Sequence, residues 1–315
     1  MASLITPVAG WRKPFEVIAI LGAVFTVLYF FIREPEKGEA EPELKKLRKG
    51  NYNYKYEYKI EYKHLPQIIS KESNKWLILQ GFFMNLTTGT LIWLPTLYIA
   101  KLEDKGVPNE TSVITAGYLF ALLQMGGLFS TYFGHLGDRL QKKNYRGRAL
   151  LGAISVLAAI PLYIIMYIIP MNGINLPSSV NPIIIFFALV KEILLNPWML
   201  AIYIFAVAAT AAQSANSPNY LALITDVNLP EHRATVFGIS TLINGIGKSL
   251  GNIFIGFVLG FFSGYFQPPY NYIITMSLFQ VFLIPSSLSY YMMSRNNGKD
   301  IRRVRSILRR RAGNI

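Results

Sequence analysis

The residues best placed to do chemistry are polar groups set within long apolar runs. Thr241, Asn244, Lys248 and Asn252 follow one another at intervals of three or four, so on a helix they form a stripe about 80° wide. No acid lies at helical spacing around Lys248 to neutralise its ammonium. A cation so placed suits an anionic or hydrogen-bonding solute, a carboxylate from another element, or water; the alternative is a packing lysine bonded to backbone carbonyls. Gln213, Asn216, Ser217 and Tyr220 form a second group, within about 100° of helical arc. Gln80 and Thr87 share a face of a third segment, where bonding between helices is the simpler reading.

Other chemistries lack their residues. There is no cysteine, which removes disulfides, thiolate metal sites and sulfur nucleophiles. The three histidines, His64, His135 and His232, show no ligand spacing, and Asp138 and Asp226 belong to different segments. No catalytic residue, metal site or cofactor is therefore expected.

The elements that carry these groups are membrane spans. Hydrophobic residues make up 52% of the 315 residues and charged residues 15%, too little polar surface to coat a soluble globule. Seven stretches are long enough to cross the hydrocarbon as helix, at 15–32, 76–100, 112–134, 149–169, 198–224, 234–262 and 270–293. Lys248 lies 14 residues from either end of its span, about 21 Å of helix. Segment 182–196 is shorter, holds Lys191 and Glu192 and is fenced by Pro182 and Pro197, so it reads as an interfacial or bent lead-in helix. Pro218 should bend the span that contains it. Gly247 with Gly251, and Gly256 with Gly260, form two pairs suited to close helix approach.

Charge sets the orientation. With the N-terminus outside, the inner segments collect 25 Lys and Arg and the outer segments 5, the bias expected of a multi-pass protein with a cytoplasmic C-terminus. The net charge of +14 is spread between spans and forms no patch for nucleic acid. The chain divides into a first helix, 1–32; a cytoplasmic linker, 33–75, with a tyrosine alternation in 51–62; a six-helix bundle, 76–293; and a basic tail, 294–315. In the tail, Ile301, Val304, Ile307 and Leu308 share one helical face, which suits a surface helix on anionic lipid or a plain inside-retention signal.

Between two of the spans the chain reads GHLGDRLQKKNYRGR, residues 134–148. Gly134, Leu136, Asp138, Arg139, Lys142 and Lys143 stand in the order and spacing of the cytoplasmic turn of the major facilitator superfamily, and the chain resembles that family. The signature's later glycine is here Gln141. By chemistry, Gly134 permits close helix approach, Asp138 can accept bonds from a neighbouring helix N-terminus, and Arg139 can hold that carboxylate. Two further stretches carry the resemblance, particularly to the spinster-like branch: GWRKPFEVIAILG continuing to REPEKG, and NSPNYLALITDVNLPEHRATVFG with Pro230, Glu231 and Arg233. The resemblance implies an all-α membrane fold whose seven spans are helices six to twelve of twelve, the first five being absent. It also implies secondary active transport of a small organic solute by alternating access at the plasma membrane. Lys248, Asn244, Asn252, Thr241, Gln213, Asn216, Ser217, Tyr220 and Gln80 would then line a cavity, and Gly134, Asp138, Arg139, Arg148, Glu231 and Arg233 would form a conformational motif. A separate N-terminal half is an implied partner, beside the lipid bilayer and the solute, for which an anionic character stays open.

Other classes fit less well. A non-transporting remnant or partner subunit is the nearest alternative. An integral membrane enzyme lacks clustered acids or ligands, and a retinal protein carries its Schiff-base lysine in the last helix whereas Lys248 lies in the sixth. The orientation is directly testable, because single cysteines can be introduced without background. Probes in 33–75 and in the tail should react only with reagent that reaches the cytoplasm, and one at Asn109 should react from outside; labelling of the tail in intact cells would reverse the topology.

Overall fold

The computed structural model describes residues 10–33 and 58–313, together with Ile5. Residues 34–57, which hold most of the linker's charge and most of its tyrosine alternation, lie outside the described residues. Among the described residues every regular element is helical, the solution open to apolar segments whose surroundings offer the backbone no partner. In chain order the helices are α1 (Lys13–Tyr29), α2 (Leu65–Ser70), α3 (Glu72–Leu86), α4 (Thr88–Glu103), α5 (Asn109–Leu123), α6 (Phe129–Lys143), α7 (Gly147–Ile168), α8 (Pro182–Leu195), α9 (Pro197–Ser214), α10 (Asn216–Val227), α11 (Pro230–Ser263), α12 (Tyr270–Phe279) and α13 (Leu283–Gly313).

Among the described residues six continuous stretches are long and apolar enough to cross a membrane: α3–α4, α5–α6, α7, α9–α10, α11 and α12–α13. The chain is an all-α membrane protein. Its first expected span is the 17-residue helix α1, about 26 Å long and so a little under the hydrocarbon thickness. Among the described residues its apolar side chains are mostly left open, Phe15, Val24 and Phe25 included, with Pro14 buried and Val17 half-buried.

Local sequence explains the interruptions. Asn181 accepts a bond from Ile183 N at 3.0 Å and starts α8, a separate 14-residue helix before Asn196 and Pro197 start α9. The expected lead-in helix is thus a distinct element. The break between α9 and α10 falls at Ala215, one turn before Pro218, because proline offers Ser214 no N–H and crowds its carbonyl. Within α5–α6 the helix tightens to a 3-10 turn at Gln124–Leu128, where Gly126 lies against the backbone of Val207 in α9.

In the packing, α3 lies along α11 and α13, and α7 lies along α9 and α13. Leu77, Leu94, Leu97, Tyr98, Met166 and Tyr290 are fully enclosed in the core, and the rings of Tyr163 and Tyr167 stack at 6.0 Å. The two glycine pairs behave differently. A side chain on Gly247 or Gly251 would strike the carbonyl of Phe82 or Leu86, so here α11 touches the backbone of α3. Gly256 and Gly260 face open space, which corrects their assignment as a packing pair.

The tail also departs from expectation. It is the unbroken continuation of α13, Val304 and Leu308 are buried beside Leu229, and Ile301 is buried in the main core. Protein takes the face that was assigned to lipid.

The glycine contrast generates a stability test. Gly251→Ala forces α11 off α3 and should cost about 1–3 kcal/mol, whereas Gly256→Ala should gain up to about 1 kcal/mol through helix propensity. Melting temperatures in detergent check both, and equal shifts would contradict the assigned contact.

Candidate functional site

The residues expected to line a cavity fall into two environments. Gln80 is fully buried inside the bundle. Its amide donates to Asn216 Oδ1 at 2.9 Å and Ser286 Oγ at 3.1 Å, and Tyr290 OH donates to the same Asn216 oxygen at 2.6 Å. Gln213 accepts from Tyr163 OH at 2.5 Å. Gln80, Gln213 and Asn216 therefore tie α3, α7, α9, α10 and α13 together. Tyr220 is buried against Ser240 and Asn244, in space left by the missing side chain of Gly81. Thr241, Lys248 and Ser217 are exposed on the bundle surface, and Asn244 and Asn252 are half-buried. The Oδ1 atoms of Asn244 and Asn252 are enclosed without a hydrogen-bond partner.

The signature turn forms an ionic centre at the end of the bundle where the expected inner segments gather. Arg148, in the first turn of α7, is bonded to Asp138 of α6 and Asp226 of α10. Its side chain is 8% exposed, against 57% for Asp138 and 31% for Asp226, so the cation is enclosed and the acids form its rim. Gln141 completes the set, donating to Asp226 Oδ2 at 3.3 Å and accepting from the Arg148 backbone N–H at 3.3 Å. These groups border a cavity of about 620 Å³ that also meets Lys142, Lys143 and Arg305.

This geometry corrects three local expectations. Asp138 is held by the Arg148 side chain and not by amides of a helix N-terminus. Arg139 is exposed and makes no bond to Asp138. The tight glycine of the turn is Gly137, where a side chain would overlap Asn219 Oδ1, whereas Gly134 has ordinary room beside Pro218. The glutamine that replaces the signature glycine is itself part of the centre.

A second set of bonds ties the α10–α11 turn to its neighbours. Glu231 is buried and accepts from Arg311 Nη1 at 2.9 Å, and Arg233 Nε donates to Asn228 O at 3.2 Å. The side chains of Asn74 and Asn228 exchange bonds of 3.0 and 2.8 Å, both fully enclosed. No local sequence signal marks this amide pair, whose members are 154 residues apart. The α13 extension joins the α6–α7 turn through Asn297 Nδ2 to Tyr145 O at 2.7 Å and Arg305 Nη1 to Tyr145 OH at 3.0 Å.

Among the described residues no cluster of His, Asp and Glu has the composition of a metal site. What the geometry offers instead is an enclosed cation shared by two carboxylates on different helices, and a lysine exposed midway along another. No curated protein matches the chain. The family model described as Major Facilitator Superfamily matches residues 1–190, more than half the sequence and inclusive of the Arg148 centre's signature turn. With its all-helical membrane architecture, the chain belongs to the Major Facilitator Superfamily and is a membrane transporter by that membership.

Proposed function

We propose that this bundle is one half of a secondary active transporter that moves a small organic solute by alternating access, with the Lys248 face of α11 turned toward the solute path and a complementary helical half. The observation that carries this reading is the position of Lys248. It lies 18 residues after Pro230 and 15 before Ser263 on a continuous helix, and is exposed there. Those separations are about 27 and 22 Å of helix, too far for the side chain to reach either headgroup layer easily. Facing lipid, a central lysine costs about 2.5 to 3.5 kcal/mol. Facing a wet path or an anionic group, it does not. Asn244 and Asn252 stand one turn to either side of Lys248 and are half-buried, their Oδ1 atoms turned inward beside Gly81 and Gly89, so Lys248 is the member of the stripe that faces outward.

The complementary half is contributed by a helical segment on the same polypeptide or a separate one. The open sides of α1 support such a neighbour. Resemblance of the segments around Trp11 and Asn216 to the spinster-like branch supports placing the chain there. The division into first helix, linker, bundle and tail, with the N-terminus outside and the C-terminus cytoplasmic at the plasma membrane, rests on the charge bias of 25 to 5. Gathering of the Arg148 centre, the α10–α11 turn and the α13 extension at one end agrees with that division.

In this reading the Arg148 centre weighs one conformation against the other. Arg148→Gln leaves Asp226 partly enclosed without its cation and should cost about 3 kcal/mol of stability. Asp138→Asn removes a mostly exposed carboxylate, so it should cost about 1 kcal/mol or less yet change the transport rate several-fold by shifting a near-balanced equilibrium. Melting curves and uptake by the assembled transporter check the pair; unchanged uptake for Asp138→Asn at normal expression would leave the turn a purely structural loop.

Lys248 tests the solute path itself. Lys248→Gln should abolish saturable uptake with the melting temperature unchanged, and Lys248→Arg should retain part of it. Normal uptake by the Gln variant would remove Lys248 from the path.

A further inference from the structure

A second cavity of about 620 Å³ opens at the charged end of the bundle and shares no lining residue with the Arg148 centre. Three segments far apart in sequence wall it: the α2–α3 junction, the α10–α11 turn and the α13 extension. Its charged lining consists of Lys71, His232, Lys299 and Arg303 with Glu72 and Asp300. Glu72 is engaged by Lys75 at 2.9 Å. Lys71, Lys299 and Arg303 therefore face Asp300 with a surplus of two positive charges, before His232 is considered.

The groups are of different kinds and complement one another. Lys71 Nζ donates to Val227 O, the last carbonyl of α10, which fixes the ammonium in the wall. Burial holds that ammonium below the usual lysine range, Asp300 working against this and Arg303 adding to it; an anion in the cavity would restore it. Lys299 and Arg303 are exposed and one helical turn apart on α13. Lys71 is also the residue preceding α3, whose first amides have no side-chain cap, and both Lys71 and Glu72 line the cavity. An arginine fork and two ammonium groups around one space, with a surplus of two positive charges, suit a phosphate, whose additional oxygens can engage all three cations at once, better than a carboxylate with two oxygens.

We propose that this cavity binds a phosphate group, supplied by an anionic lipid headgroup or by a soluble phosphate, at a site separate from the solute path. The site joins the linker, the α10–α11 turn and the last helix, so occupancy would add an ionic clamp to the apolar contact of Leu229 with Val304 and Leu308. The inference does not depend on what the protein transports.

Ser70 lines the cavity and is exposed, and the chain has no cysteine, so Ser70→Cys in the full chain reports occupancy through its rate of maleimide alkylation. One arm uses nanodiscs of phosphatidylcholine with added inorganic phosphate. The other uses nanodiscs containing phosphatidylglycerol with no phosphate added. Saturable slowing by phosphate, absent with sodium chloride at equal ionic strength, would identify a soluble source; slowing in phosphatidylglycerol alone would identify the headgroup. In either arm Lys299→Gln with Arg303→Gln should raise the half-protecting concentration, or the required lipid fraction, about tenfold or more. Both residues are exposed, so the double variant should keep the parent melting temperature. Absence of protection in both arms overturns the proposal, as does protection that survives the double substitution.

Discussion

Hydrocarbon removes the force that sorts inside from outside in a soluble protein, because lipid tails are as apolar as leucine. The six spans are therefore fixed by two scarcer interactions: polar groups that must find one another, and glycines that let backbones touch. Both converge on α3. Its Gln80 bonds α10 and α13 at once, and its Phe82 and Leu86 carbonyls receive Gly247 and Gly251 of α11. Leu77, fully enclosed, fills the same helix's contact with the core. Exchange any one of these for a bulky or unpaired group and the neighbouring helices lose their register, since no solvent penalty would restore it.

At the charged end the constraint changes from packing to electrostatics. Arg148 is enclosed while its two acids face water to different degrees. Desolvation of the cation is offset by two anions, and the pair of carboxylates is kept from mutual repulsion by the cation between them. Such an arrangement is strong when complete and unfavourable when the central cation leaves. Since Asp138, Arg148 and Asp226 belong to three helices, those helices move together or the centre breaks. The α13 extension is joined to this unit through Tyr145, and to the α10–α11 turn through Arg311 and Glu231. The end of the bundle thus behaves as one connected body.

Much of this architecture can be read from the chain. Apolar length marks the spans, Pro218 marks the break in α9–α10, and Pro182 with Pro197 isolates α8. The signature turn was recognisable through Asp138 and its neighbours, yet its bonding was not. Adjacency favours Arg139 as partner of Asp138, but consecutive helical residues point about 100° apart, and Arg139 turns outward while Arg148 returns from the next helix. The same limit applies to glycine. Gly256 and Gly260 repeat the spacing of Gly247 and Gly251 but lack the partner backbone, a fact held in the course of α3 and not in α11. Asn74 and Asn228 carry no local signal at all, because their pairing depends on where two helix ends meet. The tail's apolar face was visible; that Leu229 would cover it was not.

The helix α11 connects the two regimes. It runs 34 residues from Pro230 to Ser263 with no proline beyond its first position, so it lacks the commonest cause of a sharp kink. Glu231 ties its start to the α13 extension. Gly247 and Gly251 press it against α3, and Lys248 lies between these two contacts in sequence but on the exposed side. The distance from Glu231 to Lys248 is 17 residues, about 25 Å of helix. A stiff rod with one end anchored in an ionic network and a close backbone contact further along has a natural pivot at that contact. Displacement at the Glu231 end then rotates the helix about its contact with α3, while Lys248, next to the pivot, shifts little. The anchoring of α11 thus gives leverage to its Glu231 end and a nearly fixed position to the residues beside Gly247 and Gly251.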